Sequence, residues 1–400
     1  MLASRPSGLV RAVVVLTLVL SARADVIVVS GGGAALSSAV QSAASGDTLF
    51  VNAGTYSPFD VAGKSLTIVG SPAALIEVGN GQGGASRVRN LTSGQIVLVS
   101  DLRIDRLEIS NCQGSVRVTR VQPIVSGLPN GGEAAVTSST DVTFSGCTLT
   151  GRRSLVGGVS GSTAVQIQDS NVALYDSALL GGAGFSTINL GSAGGDGISI
   201  TNASVLLSAC TSTGGAGGQT GPIPPCGTAG VGGAGIRATS SAPSSVHLLS
   251  TTAAGGAGGA NPCAGVPAPA GAAIVAPVGV LDVLPGASRS ISAPTKVREG
   301  TTFSITLQGQ VGDQVLLLIS PQTRWIYEPL FQGVMLYGPA GRRARVATLT
   351  SNTATVDLVA PVLPLGVDAM MMHLQCLFTD TSGQRTLSGP ATEVFHDAAF

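Results

Sequence analysis

From Ala135 to Gly279 the chain repeats one pattern of apolar and polar positions four times and begins it a fifth time. Each copy has two short stretches in which apolar residues alternate with other residues, separated by polar turns and followed by a glycine-rich loop. The copies begin at Ala135, Ala164, Gly197, Gly235 and Ala273. Alternation is typical of half-buried strands, and a fixed strand-turn-strand unit with loops of varying length is typical of a solenoid.

One copy cannot bury its apolar residues alone, whereas stacked copies can. Val165 and Ile167 in one copy correspond to Ile198 and Ile200 in the next. We expect such residues to lie above one another, about 4.8 Å apart, in parallel strands. Parallel stacking would then pair the backbone of each coil with that of the next.

A small or sulfur-bearing residue recurs five positions after a strand valine or leucine. Cys147, Ser177, Cys210 and Thr251 occupy this position, and Cys112 extends it into an earlier coil. We interpret the position as a column packed in the core, in which thiols are buried and unreactive.

The N-terminal residues 1–24 are predicted to be a signal peptide. Arg5 and Arg11 precede the apolar run Ala12–Ala22, and an Ala-Arg-Ala cleavage motif ends at Ala24. The mature chain would begin at Asp25 and contain no transmembrane segment. We therefore expect a secreted or cell-surface protein, in which disulfide bonds can form.

Ala34 to Ala44 shows helical periodicity and is followed by Gly46-Asp47. With the glycines before it, this segment departs from a dinucleotide-binding motif because Leu36 replaces the third glycine, so no cofactor is expected. A helix that caps the first coil is the better interpretation.

The run AALSSAVQSAASGDTLFVNAGTY, followed by FDVAGKSLTIVG, resembles the opening of right-handed parallel β-helix proteins of the pectin-lyase-like superfamily. The resemblance implies an all-β fold, with an N-terminal capping helix and a right-handed parallel β-helix over residues 25–285. That superfamily includes lyases, hydrolases, esterases and proteins with no shown activity, so the resemblance is specific for fold and weak for function.

Residues 286–400 have a different pattern. The glycine runs stop, and alternating strands joined by Gly, Pro and Asn turns predict a small antiparallel β-sandwich, similar to modules that close many exported bacterial repeat proteins. Four aromatic residues here could stack on sugars or pack in the core: Trp325, Tyr327, Phe331 and Tyr337.

Charge is sparse and balanced, with 21 basic and 21 acidic residues. No basic stripe is present, so nucleic acid is not an expected partner. The glycine-rich loops carry little charge and lack the lysine and helical pattern of a phosphate site, and are expected to be surface loops. Cys226 and Cys263 occupy similar positions in successive loops; we predict that they form a disulfide, the alternative being two stacked free thiols.

Catalytic candidates are few. Asp169 and Asn202 share a turn position, Asp141 is expected in the same turn one coil earlier, and Arg152 follows nearby. Asp141 and Asp169 could hold calcium while Arg152 removes a proton, as in a pectate-lyase-like reaction. Asp and Asn are also common turn residues that bond to their own backbone. His247 is expected to be a lone surface histidine.

Two functions follow as hypotheses. The first is an exported, non-catalytic β-helix protein with a structural or polysaccharide-binding role, whose partners would be polysaccharide or cell-surface components. The alternative is a calcium-dependent polysaccharide lyase. Exposed rows of acidic and basic residues on one face would favour the lyase, and a face of Ser, Thr and small residues would favour the scaffold.

Overall fold

The computed structural model describes residues 24–71, 75–79, 84–124, 131–156, 158–222, 227–239, 244–263, 265–338 and 341–400. The predicted signal peptide lies outside the described residues except for Ala24, and so does Cys226; the signal peptide and the Cys226–Cys263 disulfide therefore remain predictions. The described chain is nearly all β, with long parallel sheets. Among the residues it covers, no helix is long and apolar enough to cross a membrane.

Parallel sheets make up the chain as far as Val283. In spatial order, the ten-stranded sheet contains β1 (Val26–Val29), β2 (Thr48–Val51), β5 (Leu66–Gly70), β8 (Ile96–Ser100), β11 (Ser115–Thr119), β14 (Asp141–Ser145), β17 (Asn171–Tyr175), β20 (Ser204–Ser208), β23 (Ser245–Leu249) and β26 (Leu281–Val283). The eight-stranded sheet contains β4 (Asp60–Ala62), β7 (Ser86–Arg89), β10 (Arg106–Ser110), β13 (Glu133–Thr137), β16 (Val165–Gln168), β19 (Ile198–Thr201), β22 (Ile236–Ala238) and β25 (Ile274–Val275).

Two four-stranded parallel sheets complete the coils. One contains β3 (Gly54–Tyr56), β6 (Ile76–Val78), β9 (Arg103–Ile104) and β12 (Gln122–Pro123). The other contains β15 (Thr148–Thr150), β18 (Ala178–Leu180), β21 (Thr211–Thr213) and β24 (Thr252–Ala254). Successive strands along the chain enter different sheets, and equivalent strands of successive coils pair, which is a solenoid-like arrangement.

The register matches the repeat read from the sequence. Val142, Val172, Val205 and Val246 are consecutive partners across the ten-stranded sheet, and all four are fully buried. One continuous apolar core extends from Val29 to Val280 inside the coils. The alternating pattern therefore predicted the burial of these side chains correctly, because successive residues of a strand point to opposite faces of the sheet.

The short helix α1 (Ala35–Ser42) packs against the first strands of the coils. Its Leu36 and Val40 side chains are fully buried. The Nζ atom of Lys64 donates to the carbonyls of Val40 and Ala43, at 2.6 Å each, near the helix C-terminus. The carboxylate of Asp47 accepts the amide of Ala44 at 2.7 Å. The lysine and aspartate of the opening motif thus fasten the helix to the coil.

Buried hydroxyl groups connect the turns of neighbouring coils in two columns. In the column after the ten-stranded sheet, the Cys147 amide donates to the Oγ of Ser177 at 3.1 Å. In the column after the eight-stranded sheet, the Cys112 amide donates to the Oγ of Ser139 at 3.2 Å, and the Ser139 amide to the Oγ of Ser170 at 3.1 Å. The expectation that Cys112 shares a column with Cys147 is therefore wrong, since they follow strands of different sheets.

The thiols themselves behave as expected for core residues. Cys112, Cys147, Cys210 and Cys376 are free and buried. Burial raises the pKa of Cys147 to about 11 and that of Cys210 to about 12, so both stay protonated at neutral pH. Since the thiolate is the reactive form, these cysteines are structural.

The glycine-rich loops beside the coils form ordered layers. Outgoing segments cover 181–186, 214–220 and 255–260, and returning segments cover 191–197, 229–235 and 267–273. Within the outgoing layer, the Gly217 amide donates to the Ala257 carbonyl at 2.8 Å. Between layers, the Gly215 amide donates to the Gly195 carbonyl at 2.7 Å, and the Gly233 amide to the Gly215 carbonyl at 2.9 Å. The loop backbone is therefore paired from coil to coil, as in the strands.

Glycine is required in these layers because the segments approach closely. A Cβ atom at Gly215 would lie 2.0 Å from the carbonyl oxygen of Gly182. Gly214 bonds within its layer, Gly215 bonds between layers, and Ala216 is exposed. This period of three residues matches the polyproline II type of helix, which repeats every three residues.

The chain from Ser290 onward forms two facing sheets that are mainly antiparallel. The smaller contains β27 (Ser290–Ser292), β29 (Thr302–Gln308) and β34 (Thr353–Val359). The larger contains β28 (Lys296–Arg298), β37 (Ala391–His396), β35 (Ala369–Thr379), β30 (Gln314–Ser320) and β33 (Arg342–Thr348), with β36 (Arg385–Leu387) beside β35. A hairpin of β31 (Ile326–Glu328) and β32 (Gly333–Met335) encloses a 3₁₀ turn, Pro329–Phe331. The two sheets share one apolar core.

This C-terminal module packs against the outer face of the ten-stranded sheet. One apolar contact joins Phe50, Val69 and Leu98 of the coils to Ala369 and Val394 of the module. A second joins Ala173, Tyr175 and Leu206 to Val334 and Leu336, with Trp325 and Tyr327 beside them. The module thus covers a face of the solenoid that would otherwise be open to solvent.

Candidate functional site

Asp141 lies beneath the C-terminal module rather than in an open turn. It is the first residue of β14, and its carboxylate lies 2.6 Å from an Nη2 atom of Arg117, which is only 1% exposed. The same Nη2 atom donates to the Oγ1 of Thr323 at 2.6 Å, across the interface with the module. Because the ion pair is buried beneath the module, Asp141 is not available to a substrate.

The expectation that Asp141 lies in the same turn as Asp169, one coil earlier, is wrong, because Asp141 is the first residue of β14 and its neighbour Val142 pairs with Val172. Three residues separate β13 from β14, whereas two separate β16 from β17. The turn position equivalent to Asp169 and Asn202 is therefore Ser138. All three residues have left-handed backbone, with φ of 49°, 49° and 50° for Ser138, Asp169 and Asn202, a conformation that Asn and Asp tolerate better than most residues.

Arg152 follows β15, and its partners were missed by the sequence analysis. Its Nη2 atom lies 3.2 Å from a carboxylate oxygen of Asp105, and its Nε atom lies 3.9 Å from one of Glu133. No spacing rule relates these three residues, which come together only because their coils stack. Asp141, Asp169 and Arg152 thus have separate partners and do not form one constellation.

The outward face of the eight-stranded sheet carries charge over its first coils. The Nη2 atom of Arg89 lies 2.8 Å from Asp60, the Nε atom of Arg87 lies 2.9 Å from Glu108, and the Nε atom of Arg106 lies 3.1 Å from the same glutamate. Acidic and basic side chains therefore project together from this face of the sheet, but they form ion pairs with one another.

On β16 and β19 the same face carries uncharged polar residues, whereas on β22 it carries Arg237, whose Nε atom lies 2.6 Å from Asp196. Gln168 and Thr201 are aligned partners, as are Gln166 and Ser199. The face thus combines the two patterns that were set out as alternatives, with ion pairs at both ends and uncharged polar residues between them.

An open depression of about 520 Å³ lies where the turns after β13, β16 and β19 meet the ten-stranded sheet. Its lining residues are Ser139, Thr140, Asp169, Ser170, Asn171 and Asn202. The hydroxyls of Ser139 and Ser170 belong to the buried column, whereas Asp169 is exposed and accepts a bond from the Gln168 amide at 3.1 Å. Carboxylate and amide groups at this rim can accept and donate hydrogen bonds to a polar ligand.

No metal site is formed by these groups. Within the described part of the chain, no three His, Cys, Asp or Glu residues converge as metal ligands would. The two calcium candidates, Asp141 and Asp169, lie in different surroundings, the first paired with Arg117 and the second at the open rim.

His247 is not the lone surface histidine expected from the sequence. Its Nδ1 atom lies 3.1 Å from a carboxylate oxygen of Asp282, and its ring stacks on Tyr327 with centroids 3.9 Å apart. Tyr327 and Trp325 therefore contribute to the interface. Phe331 and Tyr337 instead lie beneath the guanidinium groups of Arg385 and Arg343, at 5.7 Å and 5.3 Å.

Comparisons with known proteins add little to this description. No family model matches the chain, and no curated protein matches it. Among solved structures, a superoxide reductase (neelaredoxin) from Ignicoccus hospitalis is 12% identical over 28% of this chain and 80% of that one, with a TM-score of 0.16. A TM-score of this size carries no argument about fold or function.

Proposed function

We propose that this is an exported, non-catalytic right-handed β-helix protein related to the pectin-lyase-like superfamily, with a structural and polysaccharide-binding role at the cell surface or outside the cell. The observation that supports it is that two of the candidate catalytic residues, Arg152 and Asp141, are already paired with other charged side chains. Arg152 is engaged by Asp105 and Glu133, and Asp141 by Arg117. A proton-abstracting arginine beside calcium-binding carboxylates would need both groups free to meet a substrate.

The opening motif supports the superfamily and handedness within this proposal. Its lysine and aspartate fasten a capping helix to parallel coils, a role tied to fold and independent of catalysis. Parallel strand connections in one sheet are right-handed in the great majority of proteins.

The polysaccharide would bind at the rim of the open depression. Asn171 begins β17 there, and its side-chain amide makes no hydrogen bond to any described residue. Asp169 is exposed beside it. Together they offer a carboxylate and an amide to sugar hydroxyls, while the surrounding Ser and Thr residues add no charge. A neutral polysaccharide suits this surface best.

The test uses the mature chain from Asp25 with neutral and acidic polysaccharides, with and without calcium. Binding is measured by affinity electrophoresis, and lyase activity by the ultraviolet absorbance of unsaturated product. We expect no product, and binding of a neutral polysaccharide that weakens by about tenfold in the Asp169→Asn/Asn171→Ala variant.

Asn189→Ala is the matched control, because Asn189 is an exposed asparagine in a glycine-rich loop. Calcium-dependent product would replace this proposal with the lyase alternative. Equal affinities for the double variant and the control would remove the depression from the binding site.

A further inference from the structure

Most arginines of the coils pair with a carboxylate, and so does Arg289 of the C-terminal module, whereas two arginines on an edge strand of the module do not. Eight arginines pair with carboxylates within 4 Å: Arg87, Arg89, Arg106, Arg117, Arg120, Arg152, Arg237 and Arg289. Arg343 and Arg345, on β33, have no carboxylate within that distance among the described residues. The segment 314–348 contains four arginines and one acidic residue, Glu328. The chain is neutral as a whole, yet this segment is locally basic.

The fold presents these two arginines side by side. Arg343 is the partner of Leu318 and Arg345 is the partner of Leu316, so both project from one face of the sheet. Two residues along a strand separate them by about 6.6 Å. Both are exposed, and β33 pairs only with β30, so it forms the edge of the larger sheet.

Tyr337 orders one member of the pair. The Arg343 guanidinium lies 5.3 Å from the ring centroid, a cation–π distance that restrains the side chain without neutralising it. A restrained guanidinium loses less freedom when it binds a carboxylate or sulfate through two parallel hydrogen bonds.

We propose that the exposed edge formed by Arg343, Arg345 and Tyr337 binds an anionic polysaccharide through its carboxylate or sulfate groups. This surface is separate from the depression at Asp169 and takes a ligand of opposite character, so it goes beyond the proposed function. Charge complementarity carries the assignment, because these cations lack an internal partner. Nucleic acid is disfavoured as the ligand, since the protein carries no net charge and the basic surface is far smaller than a nucleic-acid footprint.

Charge on an edge strand also protects against aggregation, and that role makes a different prediction. If protection were the whole role, replacing both arginines would increase self-association and leave polyanion binding unchanged. If the edge is a binding surface, replacing both arginines lowers the affinity for polyanions, whether or not the protein also self-associates.

The experiment compares the mature wild-type chain with Arg343→Gln/Arg345→Gln by calorimetry at 50 mM and 500 mM NaCl. The probes are polygalacturonate, chondroitin sulfate, neutral dextran and duplex DNA at equal charge concentration. We expect both anionic polysaccharides to bind at low salt, more weakly at high salt, and about tenfold more weakly to the double variant. Arg385→Gln is the control, because Arg385 is also exposed and also lies over an aromatic ring, Phe331.

Three results would overturn the proposal: no binding of either anionic polysaccharide at low salt, an equal loss in Arg385→Gln, or tighter binding of DNA than of both polysaccharides. Fluorescence of Trp325, the single tryptophan, verifies folding. If the double variant does not fold, each single variant must show a smaller loss in the same direction. This test does not depend on the binding of neutral polysaccharide at the depression, so a failure of that proposal would not change its result.

Discussion

The interface between the coils and the C-terminal module contains a histidine whose protonation should weaken the fold. His373 on β35 is 4% exposed, and its Nδ1 atom lies 3.0 Å from the Thr392 hydroxyl. Its Nε2 atom has no partner among the described residues. Burial, and then the positive charge of Arg117, lower the pKa of His373 to about 3. The folded protein therefore keeps this imidazole neutral at pH values where the unfolded chain protonates it.

The sign and size of the effect follow from that difference. The unfolded imidazole has a pKa of about 6.5, so stability is complete above that pH and is lost as the pH falls toward about 3. Each pH unit in this window lowers the free energy of unfolding by about 1.4 kcal/mol. Between pH 7.5 and 5.0 the loss amounts to about 2 kcal/mol. Glu393 and Asp176, whose pKa values are raised by burial, change stability in this range with the opposite sign, so the difference between wild type and a His373 variant isolates the histidine.

The assay is urea denaturation followed by fluorescence of Trp325, which lies beside the same interface. We expect the His373→Asn variant to be less stable at pH 7.5, since it loses volume in a buried position, but to lose about 2 kcal/mol less than wild type between pH 7.5 and 5.0. A nuclear magnetic resonance titration of the native protein should show the imidazole still neutral at pH 5. Parallel pH profiles for the two proteins, or protonation of native His373 near pH 6.5, would refute the reasoning.

Three further predictions follow from buried groups and close contacts. Glu393 is fully buried, its carboxylate oxygens have no partner in the described chain, and burial raises its pKa well above the ordinary value. The free energy of unfolding should therefore fall by about 1.4 kcal/mol per pH unit above about pH 4.3, until the folded pKa is reached. Denaturant titrations at pH 4 to 8 should show that Glu393→Gln abolishes this contribution. Ser170→Ala should lower the free energy of unfolding by about 1–3 kcal/mol, because the buried Ser139 amide loses its hydrogen-bond acceptor. Ser199→Ala, on an outer strand face, should change the free energy of unfolding by less than about 0.5 kcal/mol, and equal effects of the two variants would contradict the hydroxyl column. Gly215→Ala should disrupt the layered loops, because its Cβ would lie 2.0 Å from the Gly182 carbonyl oxygen, and amide hydrogen exchange in residues 181–271 should accelerate. The control is Ala216→Ser, because Ala216 is exposed, and unchanged exchange in Gly215→Ala would contradict the packing.

The candidate site shows which placements the sequence predicts correctly and which depend on the stacking of coils. Asp169 and Asn202 were aligned correctly because equal turns follow β16 and β19. Asp141 was expected in the same turn, but it begins β14, and the longer turn after β13 places Ser138 at the position equivalent to Asp169. Arg152 was noticed, but its partners Asp105 and Glu133 come from other coils and carry no mark in the local sequence.

Local pattern alone predicted the repeated parallel strands, the buried valines of each repeat and the short helix near Leu36. These features depend on backbone geometry within a few residues, where the two-residue period of a strand and the 3.6-residue period of a helix leave a direct trace. Only the tertiary structure decided which column holds Cys112, how the glycine segments bond in layers, and that the C-terminal module covers Arg117 and Asp141. Those outcomes depend on contacts between residues far apart in the chain, and the periodicity of the sequence does not show which of these contacts form.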